Sequence, residues 1–344
     1  MAIKVNQPFY DSLMRRTIDL HKFGGSLNKK LSNHFKFLED SICRVLVPMS
    51  LGMGSKKKRD YELQDLSENI DALLYSRFYQ IDHEFNENLR EVGLLEHDFI
   101  VDQIHDSTNQ IPYSLPSTAL LPTVSEPLVA SKSVREWGDN IRRVLRRNLV
   151  STVRSELATG KSTEDTIRKI KGDRLNGYRN GIFKPALGKL QTLFRSGITA
   201  VTNDVRQRVY SINSPTIESF YWNSTLDGNS SSICSHKHCS GWKNPSLHPK
   251  GDSKAYRSGV PHFNCRSTIV PIFRSNTSVS QDASLSSFSD WISGRTESEQ
   301  RDIYGERKFS LWKKGKISSP QLMNFKTTPI TLYQLTHGYK GTQL

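Results

Sequence analysis

Four side chains in the last third of the chain belong to the types that bind transition metals. Cys234 and Cys239 bracket the stretch "CSHKHC", and His262 and Cys265 follow in "PHFNC". Thiolate and imidazole groups are common zinc ligands, and two pairs at such short spacing can share one ion. The spacing therefore predicts a zinc site of Cys234, Cys239, His262 and Cys265, and a complete shell of this kind would be structural.

Other ligand sets and other chemistry are also compatible with this cluster. Asp227 and His248 are alternative ligands, while His236 and His238 lie inside the cluster. If one protein ligand is missing, the ion would hold an activated water, so spacing does not separate a structural zinc from a catalytic one. A thiol redox pair within "CSHKHC" is disfavoured, because it lacks the two-residue spacing that lowers a thiol pKa.

Composition limits the class of protein. The chain has 344 residues with 35% hydrophobic residues and a mean hydropathy of -0.55. No apolar run approaches the roughly 20 residues of a membrane span, and the N-terminal stretch "MAIKVNQPFYDSLMRR" lacks the pattern of a signal peptide. We therefore expect no membrane partner, and three cysteines clustered in a protein that is not secreted favour metal binding over disulfides.

The positive charge is concentrated in the middle and the end of the chain. The net charge is +14, distributed as -4 over residues 1–131, +11 over 132–210 and +7 over 211–344. On a helix after residue 134, apolar residues share one face, and the other carries Arg142, Arg143, Arg146 and Arg147. This basic ridge predicts non-specific binding to nucleic acid, the alternative being an ordinary solvated helix face.

Periodicity predicts an α+β fold that is predominantly α-helical. Helical spacing runs through the N-terminal region and through residues 134–211, whereas "TIESFYW" (216–222) and "STIVPIF" (267–273) are typical of strands. The expected architecture is a helical N-terminal region, a helical middle, a small β-sheet whose strands flank a zinc-tethered Cys/His loop, and a short helical C-terminal tail. Cys43, on a helix, is interpreted as a small packing residue.

Changes in composition suggest where the chain divides. Residues 111–133 contain several prolines and many Ser and Thr without helical period, which predicts a linker. We therefore expect a helical region at 1–110, a linker at 111–133, a domain at 134–275 with its Cys/His site at 227–266, and a helical tail at 276–344.

The stretch "FYWNSTLDGNSSSICSHKHCSGW" continuing to "PHFNCRSTIVPIF" resembles the signature of the phage Mu F-like head morphogenesis proteins, also called minor head or minor capsid proteins. The likeness extends over about residues 134–336, including "GKIS" and "TLYQL" near the end. The matching positions are Trp222, Asp227, Gly228, Cys234, Gly241, Pro261, His262, Asn264, Cys265, Arg266 and Pro271.

The sequence departs from that signature in several places. The family's His-Pro before the second cysteine reads His262-Phe263 here, and the "HP" at His248 precedes an apparent insertion. Of the family's Arg-Thr-Glu element only Arg195 remains, in "FRSGITA". Cys239 has no counterpart in the signature, so Asp227 is the alternative for the fourth ligand.

The resemblance implies a non-enzymatic protein of the virion, located in the capsid interior or at the portal vertex and in the host cytoplasm during assembly. Its expected partners are the portal protein, capsid proteins and phage DNA bound without sequence preference, and the helical region at 1–110 is expected to bind the portal or another partner protein. The expected cofactor, from the Cys/His spacing, is structural Zn²⁺. A zinc-dependent DNA endonuclease is the competing interpretation, because a metal-tethered loop on a basic protein is also typical of some nucleases.

Overall fold

The fold is described from a computed structural model of the chain. It describes residues 3–48, 56–224, 241–243, 248–249, 259–275, 277–281, 283–286, 288–317 and 331–337. Cys234, Cys239 and Asp227, with the histidines between the two cysteines, lie outside these ranges.

Helices make up most of the described chain, and small antiparallel sheets make up the rest, so the predicted α+β, mainly helical class is confirmed. In chain order the elements are β1 (Lys4–Val5), α1 (Gln7–Leu46), α2 (Lys56–Thr108), α3 (Ser117–Ser125), β2 (Leu128–Val129), β3 (Lys132–Ser133), α4 (Val134–Ala158), α5 (Thr163–Lys171), α6 (Phe183–Ile212), β4 (Ile217–Asn223), β5 (Gly241–Lys243), β6 (His248–Pro249), β7 (Thr268–Phe273), β8 (Ala283–Ser284), α7 (Phe288–Ser293), α8 (Glu297–Tyr304), α9 (Glu306–Lys313) and α10 (Leu332–His337).

The chain forms two compact units, and each is assembled from separated segments. The sheet unit comprises Met1–Ser26, Asn88–Ser131 and Arg195–Leu344. The helical unit comprises Leu27–Glu87 and Lys132–Phe194. Since α1, α2 and α6 each contribute to both units, these boundaries differ from the sequential ones expected from composition. Within the described ranges, no helix combines the length and apolar character that a membrane span requires.

A four-stranded sheet in the order β6-β5-β4-β7 organises the sheet unit. The two strands predicted from the sequence, β4 and β7, are antiparallel neighbours, with Trp222 opposite Ile269 and Phe220 opposite Pro271. Trp222 and Phe220 are fully buried, and the ring of Phe9 from α1 meets Phe273 edge-on at 5.5 Å. Aromatic and β-branched residues thus bury most of both strands within their own unit.

A buried ion pair network lies among the helices of the sheet unit. Glu96 of α2 accepts hydrogen bonds from Arg16 of α1 at 3.0 Å and from Arg206 of α6 at 2.5 Å. Arg206 also donates to Thr268 at the start of β7, and Arg16 donates to the Leu335 carbonyl of α10 at 2.7 Å. Because all three charged side chains are buried, the network fixes four helices and a strand at one point.

The helical unit packs apolar stripes from α1, α2, α4, α5 and α6 against one another. Phe85 of α2 stacks on Phe194 of α6 with ring centroids 3.7 Å apart, and Phe35 of α1 lies 6.1 Å from Phe78. Helix α4 begins with a capping box in which Ser133 and Glu136 bond each other's backbone N–H groups. Cys43 is buried as expected, and burial raises the pKa of its thiol to about 11.

The segment predicted to be a Pro/Ser-rich linker, residues 111–133, contains ordered elements. The segment contains α3 and the β2–β3 pair, and Leu120, Val124 and Val129 are buried in it. Pro122 lies inside α3, so the prolines that indicated a break are accommodated within ordered structure. Burying the apolar residues between the prolines stabilises this ordered structure and outweighs the weak helix propensity of the segment.

Candidate metal centre and basic surface

The structure positions two of the predicted zinc ligands, His262 and Cys265, in the turn that leads into β7. His248, the alternative ligand, lies in β6, which pairs with β5 through Lys243 and Trp242. Cys234, Cys239 and Asp227 fall outside the described residues. The structure therefore describes the second half of the predicted site, "PHFNC", and leaves the first half as a prediction from the sequence.

Gly259 starts this turn in a conformation that requires glycine. Its φ is +86°, and a Cβ added there would lie 2.1 Å from the Leu128 carbonyl oxygen. The close approach is part of a short backbone pairing, in which Val260 donates to Leu128 and Ala130 donates to Val260, each at 2.9 Å. The segment after α3, which looked like a linker, thus holds the chain on its way to the predicted ligands.

Asp204 of α6 anchors the same turn from the other side. Its carboxylate accepts the Gly259 backbone N–H at 2.7 Å, and the side chain is buried. Burial raises the pKa of Asp204 from 3.8 to about 7, although the Gly259 hydrogen bond and the charge of Arg208 act in the opposite direction. This carboxyl is therefore partly protonated near neutral pH, a property that the sequence did not indicate.

Helix α6 also supports the centre of the turn. Asn264 adopts a left-handed conformation with φ of +57°, its N–H donates to Ser196 Oγ at 2.8 Å, and Arg195 donates to its side-chain oxygen at 3.3 Å. Two turns further along α6, Asn203 donates to the Ser267 carbonyl at 3.0 Å. Arg195 is the position that resembles the Arg-Thr-Glu element of the Mu F-like signature. Here its guanidinium group helps to position Asn264.

The tautomer of His262 suits metal binding. Its Nδ1 lies 2.8 Å from the Phe263 carbonyl, which can only accept, so Nδ1 carries the proton and Nε2 carries the lone pair. Cys265, three residues on, is 1% exposed. An imidazole oriented by a backbone carbonyl is the usual arrangement around a zinc-bound histidine. No cluster of three or more His, Cys, Asp or Glu side chains occurs within the described ranges, so these two side chains would need ligands from elsewhere.

His21 of α1 is a half-buried histidine that sequence reasoning did not single out. Burial lowers the pKa of this imidazole to about 3. Nearby guanidinium groups lower it further, in the order Arg266, Arg195 and Arg206. The ring is therefore neutral at any physiological pH, and it is not tuned to act as an acid or a base near neutrality.

The four arginines of the predicted basic ridge on α4 divide into two pairs. Arg146 donates to Asp71 at 2.5 Å and to Ser67 at 3.0 Å, both on α2, and Arg142 lies 3.6 Å from Asp139 and 5.6 Å from the ring centroid of Tyr75. These two arginines hold α4 to α2. The other two, Arg143 and Arg147, are exposed.

Arg154 extends the exposed pair along the same face of α4. Positions 143, 147 and 154 are separated by four and seven residues, so they face one direction over about 16 Å of helix. No acidic residue occurs between Arg143 and Arg154. The predicted basic ridge is thus a row of Arg143, Arg147 and Arg154, hereafter the arginine row.

A second basic surface of the helical unit is the loop between α5 and α6. Asp173 organises it by accepting hydrogen bonds from the side chains of Asn176, at 2.8 Å, and Asn180. The loop exposes Arg174, Leu175, Tyr178 and Arg179. Guanidinium groups beside an exposed aromatic ring are a combination suited to phosphates and bases.

No family model, curated protein or solved structure matches this chain.

Proposed function

We propose that the chain is a bacteriophage minor head protein of the head morphogenesis class. It acts without catalysis, through contacts with the portal and capsid proteins and with packaged DNA, in head assembly and genome packaging or delivery. The observation that carries the proposal is the arginine row, a one-sided basic surface on a helix that is otherwise fastened to its own unit. Three guanidinium groups with no acidic neighbour on that stretch suit a phosphate backbone.

The pairing of β4 with β7 also supports the proposal. The residues that carry the resemblance to Mu F-like proteins fall in two stretches, "FYWNSTLDGNSSSICSHKHCSGW" and "PHFNCRSTIVPIF". Trp222 and Pro271, one from each stretch, lie on adjacent strands of one sheet. A signature whose two halves meet in one sheet forms a single structural unit, as a common ancestry with that family would require.

Zinc has a structural role in this proposal. His262 and Cys265 would supply two of its ligands, and Cys234 and Cys239 the other two, with Asp227 and His248 as alternatives. A bound Zn²⁺ would tether the long connection between β4 and β7, because metal binding energy becomes folding energy for a segment with little core. The described half of the site fits this role through the orientation of His262 and the burial of Cys265.

DNA binding by the arginine row is tested by reversing its charge. Fluorescence anisotropy with two 30-base-pair duplexes of unrelated sequence would compare the wild type with the triple variant Arg143→Glu, Arg147→Glu, Arg154→Glu. We expect equal affinity of the wild type for both duplexes and a loss of about 100-fold or more in the variant, since charged phosphate contacts dominate such binding.

A matched control changes the charge equally at another exposed surface. Arg307, Lys314 and Lys316 are exposed residues of the sheet unit, and replacing all three by Glu changes the net charge by the same amount. We expect this control to lose far less affinity than the arginine-row variant. Equal losses in the two triple variants would show that only overall charge matters, and the arginine row would have no specific role.

A further inference from the structure

The helical unit contains a preformed cavity of about 250 Å³ among α2, α4 and the beginning of α6. Its floor is apolar and consists of Phe78 and Ile81 of α2 with Leu193 and Phe194 of α6. These side chains are buried, and the Phe194 ring that lines the cavity is held by stacking on Phe85. Small-molecule sites usually measure about 300–1,000 Å³, so this smaller space suits one large side chain.

Gly138 keeps the cavity open on the α4 side. It lies within α4 and lines the cavity, and no atom lies within 4 Å of the position that its Cβ would occupy. Glycine inside a helix destabilises it by about 1 kcal/mol relative to alanine. Packing does not require the glycine here, because the space is empty. If a side chain of another protein enters this space, the absence of a Cβ at Gly138 leaves room for it.

The rim of the cavity is aromatic and partly acidic. Tyr75 and Tyr79 of α2 are 63% and 60% exposed, and exposed tyrosines are enriched where proteins bind one another. Two carboxylates, Asp82 and Asp139, line the same opening. Because Arg142 lies over the Tyr75 ring, the rim offers the Tyr79 ring and the two carboxylates beside an apolar floor, which together favour a group that is both aromatic and cationic.

The arginines that line the cavity compensate the two carboxylates unequally. Arg142 pairs with Asp139 at 3.6 Å within α4. Asp82 accepts a hydrogen bond from Asn86 at 3.3 Å and is influenced by Arg135. Burial nevertheless raises the pKa of Asp82, and the charge of Asp139 adds to the rise. An additional cation beside Asp82 would thus stabilise its ionised form.

We propose that this cavity receives an aromatic side chain of a partner protein, and that a basic residue next to it in the partner's sequence pairs with Asp82. The aromatic ring fills the space in front of Gly138, and the basic residue lies at the acidic side of the rim. A buried aromatic anchor surrounded by polar contacts is the usual form of a binding hot spot. The proposal concerns protein binding, and it does not depend on the arginine row or on zinc.

Short peptides test this with the full-length protein. The probe is N-acetyl-Lys-Trp-Lys-amide carrying 5-fluorotryptophan, whose ¹⁹F linewidth reports weak binding, and the matched peptide replaces both lysines by Glu. We expect the lysine peptide to bind at least about 10-fold more tightly than the glutamate peptide, a difference of about 1.4 kcal/mol. Asp82→Asn should reduce this preference to about 3-fold or less by removing the charge that the lysine contacts.

Two glycine variants locate the site. Gly138→Leu fills the cavity and should weaken the lysine peptide by about 10-fold or more. Gly188→Leu is the control, because Gly188 is an exposed helical glycine of α6 with open space around its Cβ position, and it does not line the cavity. It should leave binding unchanged. Equal binding to wild type and Gly138→Leu, or equal binding of the lysine and glutamate peptides, would overturn the proposal.

Discussion

Asp204 makes the sheet unit's stability depend on pH in a direction opposite to that of most carboxylates. Its carboxyl ionises near 3.8 in the unfolded chain and near 7 in the folded protein. Between these values the folded state binds more protons than the unfolded state, so stability falls as the pH rises. The stability that the protonated Asp204 carboxyl provides, relative to the ionised form, is fully present below about pH 4 and is lost as the pH rises through about 7.

The size of the effect follows from the pKa difference. Each pKa unit corresponds to about 1.4 kcal/mol, so carrying the pKa from 3.8 to about 7 disfavours the ionised form by about 4 kcal/mol in the folded state. Asp204→Asn removes the ionisation and keeps a side-chain oxygen that can accept the Gly259 N–H. We therefore expect the variant to match the wild type near pH 4 and to exceed it by up to about 4 kcal/mol at pH 8.

Urea-induced unfolding at several pH values between 4 and 8.5, followed by tryptophan fluorescence, measures this difference. Trp222 is fully buried in the sheet unit and reports its transition. Asp302→Asn, at an exposed aspartate of the same unit, is the control and should leave the wild-type pH profile unchanged. If the free energies of unfolding of Asp204→Asn and the wild type stayed parallel across this range, Asp204 would not have the raised pKa.

Three further predictions concern packing and metal. Glu96→Gln leaves two buried arginines without their countercharge, so it should lower the free energy of unfolding by about 3–5 kcal/mol. Glu91→Gln, at an exposed position of the same helix, is the control and should change that free energy by less than about 0.5 kcal/mol. Gly93→Ala places a Cβ 2.3 Å from Val124 Cγ1 and should destabilise the folded protein by about 1–3 kcal/mol. Gly25→Ala, at a position of α1 with open space around the added Cβ, should stabilise the folded protein by up to about 1 kcal/mol. Elemental analysis should find about one zinc per chain, and chelation should lower the melting temperature; metal-free protein with freely alkylated cysteines would contradict the zinc site.

The sequence predicted the elements of this fold better than their assembly. The stripe through Leu66, Ile70 and Phe85 predicts α2, because it reflects one buried helix face. The β-branched and aromatic residues of 216–222 and 267–273 predict β4 and β7, whose residues are almost all buried. It could not predict that α1, α2 and α6 each contribute to two units, since that depends on contacts between residues far apart in the chain.

The candidate sites show the same division. The spacing of His262 and Cys265 identifies a turn that could bind metal, but its supports on α6, Asp204 and Ser196, are recognisable only once α6 lies beside it. Likewise, helical periodicity places four arginines on one side of α4. Only the structure shows that Arg142 and Arg146 contact side chains of α2. The exposed arginines Arg143, Arg147 and Arg154 are the ones that face solvent and can contact a ligand.

The salt dependence of DNA binding tests the central claim most directly. For the wild type, the logarithm of the binding constant should fall linearly with the logarithm of salt concentration between about 50 and 200 mM, with a slope of about -0.9 for each phosphate contacted. Charge reversal of Arg143, Arg147 and Arg154 should make that slope shallower by about 2–3. The same slope in the wild type and in this variant would contradict the account.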